Sequence, residues 1–78
     1  KGYGTQALEA VLGFAFAQMN LSYVEVDHMA ENVASGAVMR KVGMVYVRTD
    51  REKYEKNGIV YDAPVYRITR NVWNQQNS

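Results

Sequence analysis

The 78-residue chain has no cysteine and only one each of histidine (His28), proline (Pro64) and tryptophan (Trp73). Without cysteine there is no disulfide framework, thiol nucleophile or cysteine-ligated metal, which fits a reducing compartment. A single histidine leaves too few ligands for a zinc site built by the protein. No apolar run reaches the roughly 18 residues of a membrane span, and no charged segment precedes a cleavage site, so a cytoplasmic protein without a membrane partner is expected. Neither sign of charge dominates: nine Lys and Arg stand against eight Asp and Glu, a net charge of +1. The longest basic run is Arg40-Lys41, so the footprint of a nucleic-acid binder is missing and no nucleic-acid partner is expected. What is present is globular, with 47% hydrophobic and 22% charged residues. A chain of this length is one domain at most and buries only about 60–65% of its unfolded surface, so its core is small.

The periodicity predicts a helix from Thr5 to about Met19, apolar on all but a narrow stripe through Gln6, Glu9 and Gly13. Such a helix needs cover on more than one side, with Phe14 and Phe16 both expected in the core. Gly13 inside a helix costs about 1 kcal/mol relative to Ala, which suggests close packing there. After an Asn20-Leu21-Ser22 loop, Tyr23 to Met29 alternates as one strand, Val24, Val26 and His28 on one face and Tyr23, Glu25, Asp27 and Met29 on the other. Met44 to about Arg48 reads as a strand, and Asn57-Gly58 between Tyr54 and Tyr61 suits a two-residue type I′ hairpin turn. Pro64 cannot donate to a ladder and is expected at a strand start, bulge or edge, with a last strand over Val65 to Thr69 and a polar tail over Asn74 to Ser78.

Two segments carry chemistry. Between Glu31 and Met44, Asn32 is a good N-cap and Ser35 lies three residues on, inside the first turn. Val38, Met39 and Val42 form an apolar face, and Gly43 suits a left-handed cap. The opening Lys1-Gly2-Tyr3-Gly4-Thr5 places two glycines before the first helix, where backbone N–H groups and the helix dipole can receive an anion. A lone Gly-x-Gly is equally a flexible start of a helix.

Glycine turn, apolar helix, strand, Glu-Asn-x-Ala-Ser helix ending in Gly-Met and Asn-Gly hairpin: this succession resembles the second half of the GNAT N-acetyltransferase fold, in its ribosomal-protein N-terminal acetyltransferase-like branch. The family's acetyl-CoA loop reads Gln/Arg-x-x-Gly-x-Gly/Ala; Gly2 and Gly4 match its glycine positions, and its Gln/Arg would precede Lys1. The resemblance covers essentially the whole chain. It implies α/β architecture, with helix, strand, helix and antiparallel hairpin forming the C-terminal half of an acyl-CoA N-acyltransferase domain. Residues 1–78 are then the C-terminal portion of one N-acetyltransferase domain, ending in the polar tail at 74–78. Lys1 is not an initiator Met, and a longer parent protein is expected.

The resemblance also implies acetyl-CoA as co-substrate, held by Lys1, Gly2, Tyr3, Gly4, Thr5, Asn32 and Ser35. Backbone N–H groups from Gly2 to Thr5 would take the pyrophosphate, and Asn32 would contact the cofactor arm while capping its helix. Ser35 is the catalytic candidate, donating a hydrogen bond to the departing thiolate. Many family members place a tyrosine general acid where this chain has Met39, which has no proton to give. A general base is less needed for some acceptors than others. Deprotonation at pH 7 costs roughly 1.4 kcal/mol for an α-amine and about 4.6 for lysine. His28 and Glu25 are the titratable candidates, and Tyr46, Tyr54, Tyr61 and Tyr66 either line an acceptor pocket or pack on the sheet.

The reading is therefore of an enzyme fragment, inactive in isolation, whose parent transfers acetyl to a primary amine such as a protein N-terminus. A small-molecule amine is the competing acceptor. A non-catalytic fragment that binds CoA or self-associates is the alternative of another class. The family's preceding strand would lie beside Tyr23–Met29, so this strand edge and the first helix are expected to pair with a second copy or with an N-terminal half.

Overall fold

Asn57 and Gly58 take positive φ, 55° and 79°, as a type I′ turn requires, and the chain reverses there as its sequence predicts. In the computed structural model, which describes residues 3–28, 30 and 32–77, this turn joins β2 (Val45–Lys56) to β3 (Ile59–Thr69). The other elements are α1 (Tyr3–Gln18), β1 (Tyr23–Asp27), α2 (Val33–Lys41) and α3 (Arg70–Gln76). The sheet is antiparallel throughout in the order β1-β3-β2.

Alternation along β1 and β3 divides the sheet into two unlike faces. Val24 and Val26 join Tyr66 and Ile68 against Leu12 and Phe16 of α1 and Met39 of α2, and this cluster is the core. The opposite face carries charge. Glu25 accepts from Arg67 (Nε 2.9 Å, Nη2 2.6 Å) and from Arg48 Nη1 (3.1 Å). Asp27 is bonded by Lys53 and by the Tyr54 hydroxyl, the latter at 2.7 Å.

Register irregularities in β2 make this sorting possible. Tyr46 pairs with Tyr66 but Arg48 pairs with Val65, so Val47 is an extra residue. A one-residue bulge sends residues two apart to opposite faces: Tyr46 meets the ring of Tyr66 edge-on at 5.9 Å, while Arg48 reaches Glu25. A second irregularity sets residues 51–53 against Asp62 alone. There Glu52 takes φ 53° and its N–H donates to Asp62 Oδ1 at 2.9 Å.

Pro64 lies inside the central strand, not at an edge. Its carbonyl accepts from His28 N at 3.3 Å, on the side where β1 has ended, and in an antiparallel strand N–H and C=O of one residue point the same way. The missing donor thus falls beyond the last β1 pair, Asp27 with Val65. The expected polar tail is also different. Thr69 caps α3 by accepting from Val72 N (3.3 Å), and Trp73 packs on Phe16 with ring centroids 6.0 Å apart. Trp73, together with the bond from Gln76 Nε2 to Val42 O, docks this two-turn helix.

On α1, Phe16 is 3% exposed but Phe14 is 60% exposed, against the expectation that both are core. Val11 and Phe14, one turn apart, belong to a second apolar face that no described residue covers. No helix among the described residues is long and apolar enough to cross a membrane.

Gly13 does not mark a forced close approach, because a Cβ there would meet Trp73 Cζ2 at an ordinary 3.7 Å. Gly13→Ala should therefore raise stability by about 0.5–1 kcal/mol in chemical denaturation, through helix propensity alone. A loss of stability would show that the Trp73 contact is tighter than this. The charged face predicts an acid response. Hydrogen bonds from Arg67, ahead of the opposing effect of burial, hold the Glu25 carboxyl below its ordinary value of 4.5. Burial pushes Asp27 up, but bonds from Lys53 and Tyr54 together outweigh it and leave it below 3.8. Depressed carboxylates contribute stability above their unfolded pKa and lose it as pH falls through the folded one. Melting temperature should thus decline progressively as pH falls below 4.5 and 3.8, and Glu25→Gln with Asp27→Asn should flatten that decline.

Candidate active site

Helix α2 begins as its sequence requires. Asn32 stands at the N-cap, and Ser35 N donates both to Asn32 Oδ1 (3.3 Å) and to the Asn32 carbonyl (3.2 Å). The helix ends in a Schellman arrangement around Gly43, φ 99°: Gly43 N donates to Arg40 O and Met44 N to Met39 O, each at 3.1 Å. Gln76 of α3 closes the same end by donating from Nε2 to Val42 O at 3.1 Å. With both ends secured, the first turn of α2 has a defined place beside α1.

That place is a groove of about 260 Å³ lined by Gly4 and Leu8 of α1 and Ala34, Ser35, Val38 and Met39 of α2. Two expected site residues, Gly4 and Ser35, meet here. Ser35 is half-buried and Met39 buried. Gly4 lies within the first turn of α1 and not in a turn before it. Its reason for being glycine is proximity, since a Cβ would sit 3.2 Å from Val38 Cγ2. Asn32 is exposed and does not line the groove; its side-chain oxygen is engaged in capping. Thr5 follows Gly4 on α1 and is half-buried. Tyr3 opens the helix, while Lys1 and Gly2, expected to bind the cofactor, lie outside the described residues.

The first N–H groups of any helix lack intrahelical acceptors. At the start of α1 they belong to Tyr3, Gly4 and Thr5, at the end of the helix that abuts the groove. Leu8, Val38 and Met39 supply an apolar wall behind one hydroxyl, that of Ser35. This combination suits a ligand with an anionic end and a slender, largely apolar arm carrying a few polar atoms.

The other candidates do not converge on the groove. Glu25 faces the opposite side of the sheet and is already engaged by two guanidinium groups. His28 shares the face of Val24 and Val26 in the structural role that its apolar neighbours imply, its ring stacked on Tyr66 at 5.9 Å. The four tyrosines divide: Tyr46 and Tyr66 lie on the helix face, whereas Tyr54, paired across the hairpin with Tyr61, bonds Asp27 on the other. A second hollow of about 350 Å³ opens on that charged face, between Glu25, Asp27, Arg48, Asp50 and Lys53. Three acids and three bases, Arg67 included, balance there, so it presents no net charge to a ligand.

The sequence shows Val38 and Met39 as an apolar face of α2, but not that together with Leu8 they wall the groove beside Ser35. Val38 and Met39 follow Ser35 by three and four residues, the spacing of neighbours on one helix face, and that signal was there to be used. Gly4 against Val38 carries no such signal, because the contact joins two separate helices.

Residues 1–45 match the family model described as acetyltransferase (GNAT) domain. Among curated proteins the chain is 32% identical over 74 residues to the uncharacterized N-acetyltransferase YnaD of Bacillus subtilis, covering 95% of this chain and 44% of that protein. It is 33% identical over 75 residues to the FsC-acetyl coenzyme A-N(2)-transacetylase of Aspergillus fumigatus, covering 94% and 32%. Among solved structures, a probable acetyltransferase superposes with a TM-score of 0.87 at 26% identity, over 94% of this chain and 41% of that one. A putative ribosomal-protein-serine acetyltransferase from Vibrio cholerae gives 0.75 at 26%, over 87% and 39%. The chain spans less than half the length of each of these proteins. With more than half of its residues matched by the family model and its helices and antiparallel sheet superposing on acetyltransferase structures, the chain belongs to the GNAT acetyltransferase family.

Proposed function

We propose that this chain is the C-terminal portion of a single N-acetyltransferase domain, and that the complete domain transfers the acetyl group of acetyl-CoA to a primary amine. The observation that carries this reading is the meeting of Gly4 and Ser35 in one groove, at the start of both helices. The free N–H groups of the first turn of α1, extended by the segment at Lys1 and Gly2, would bind the pyrophosphate. Leu8, Val38 and Met39 would flank the pantetheine arm, and Asn32, whose oxygen caps α2, would offer its Nδ2 donors to an amide of that arm.

Acetyl-CoA supplies an activated thioester carbonyl. The amine lone pair bonds to that carbon and the carbon–sulfur bond breaks. Ser35 donates a hydrogen bond to the sulfur as negative charge gathers on it; the nitrogen loses one proton to water, and the thiolate takes one up from water. Met39 occupies the position where a tyrosine acid would stand and acts only as apolar wall. Among the described residues no base converges on the groove, and an amine of low pKa is then the favoured acceptor, because its deprotonation needs least help. A protein N-terminus meets that requirement, and the likeness to a ribosomal-protein-serine acetyltransferase supports it. The likeness to a transacetylase named for an N(2) position supports a small-molecule amine instead.

A partner reading rests on a separate observation. Val11 and Phe14 leave an apolar face of α1 uncovered, as does the outer edge of β1, and the relatives carry further chain. Association with the remainder of the domain, or with a second copy, would bury both.

In the full-length enzyme, Ser35→Ala should lower kcat about tenfold, the loss of roughly 1.4 kcal/mol of charge-assisted hydrogen bonding. Asn32→Ala should weaken acetyl-CoA binding and also cost about 1 kcal/mol of capping, read separately by thermal denaturation. Steady-state kinetics with unchanged kcat and KM for acetyl-CoA in both variants would displace the site from this groove.

A further inference from the structure

Gly36 is the fourth residue of α2 and is buried, although glycine inside a helix is destabilising by roughly 0.5–1 kcal/mol relative to alanine. Its φ is not positive, so no turn requires it. What requires it is space. A Cβ at this position would lie 3.1 Å from His28 Nε2, 3.5 Å from His28 Cε1 and 3.3 Å from Arg40 Nη1.

Arg40 Nη1 is the end of a flexible side chain on an exposed residue and can swing aside, whereas His28 is not placed to yield. The ring of His28 is backed by Tyr66, 5.9 Å away and inclined by 30°, and its backbone N–H is bonded to Pro64 O at 3.3 Å. Arg40 Nη1 donates to the Tyr66 hydroxyl at 3.0 Å. Tyr66 is buried in the central strand and wedged edge-on by Tyr46. The soft direction is therefore α2 itself, moving away from the sheet. On its other flank α2 meets α1 with as little room, through Val38 against Gly4. Displacement of α2 by a few tenths of an ångström has to alter the groove between them.

We propose that Gly36 is a positioning residue for cofactor binding: the His28 ring fills the place of its missing side chain and sets how far Ser35 stands from Gly4. This rests on the reading of the groove as the acetyl-CoA site. It makes two predictions that a merely structural glycine does not. Gly36→Ala, which should favour the helix by intrinsic propensity, weakens acetyl-CoA binding. Removing the ring at residue 28 restores it.

The test is isothermal titration of acetyl-CoA into the full-length protein as wild type, Gly36→Ala, His28→Ala and the double variant, at a temperature well below each melting transition. Gly36→Ala is expected to raise Kd at least fivefold, and the double variant to return it to within twofold of His28→Ala alone. Absence of acetyl-CoA binding in the wild type would overturn the cofactor reading and this proposal with it. Wild-type binding with an unchanged Kd in Gly36→Ala, or a defect that His28→Ala does not relieve, overturns the proposal alone. If Gly36→Ala does not fold, the double variant decides: folding with the affinity of His28→Ala supports the proposal, and failure to fold refutes it, since the nearer obstruction, the ring at residue 28, has then been removed.

Discussion

The seating of α2 on the sheet is the constraint on which the rest of this structure depends. The helix is fixed at its start by Asn32 and at its end by the Gly43 cap and Gln76. On its flanks it is held by two glycine-sized clearances, Gly4 toward α1 and Gly36 toward His28. Contacts at both ends and on both flanks leave this nine-residue helix few ways to move as a body. Protein interiors are packed at nearly crystalline density, so a change at either clearance must be answered by displacement. Ser35 lies one residue from the tighter of these two clearances, which ties the shape of the groove to the packing beneath it.

The sheet makes that seating possible by keeping charge and core apart. Strand β3 is central and serves both faces, sending Tyr66 and Ile68 to the helices and Ala63, Val65 and Arg67 to the other side. The single extra residue at Val47 lets β2 give an aromatic ring to one face and a guanidinium to the other within three residues. Without it, Arg48 would follow Tyr46 under the helices, where an unpaired charge is costly to bury. The carboxylates of Glu25 and Asp27 are instead matched by Arg48, Arg67 and Lys53 on a half-exposed surface. Such pairs are worth little individually but together they hold β1 and the two longer strands in register.

The uncovered face of α1 is the counterpart of this arrangement. An apolar helix surface around Val11 and Phe14 has a driving force of about 25 cal/mol per Å² toward cover, and a core this small has little stability in reserve. The chain spans less than half of its relatives, which agrees with a fold whose layers are incomplete on that side. The groove between α1 and α2 lies within this chain.

Local physics was legible in the residues themselves. The Asn57-Gly58 turn, the Asn32 cap, the Gly43 stop and the alternation of β1 each follow from the conformational or hydrogen-bonding preference of one or two side chains, and each stands where the sequence places it. The ordered succession of those signals sufficed to suggest the family. Whatever depends on what lies across a packed interface was decided only by the tertiary structure. Phe14 and Phe16 are the same residue two positions apart, yet one is core and the other exposed, because the covering elements come from elsewhere in the chain. Gly13, Gly4 and Gly36 look alike in a sequence. Only the neighbours brought up by folding show that the first has room for a methyl group, while the other two are held by Val38 and His28. Propensity and patterning act within a few residues of the chain, whereas the clearance beside a side chain is set by whichever distant residue the fold puts there.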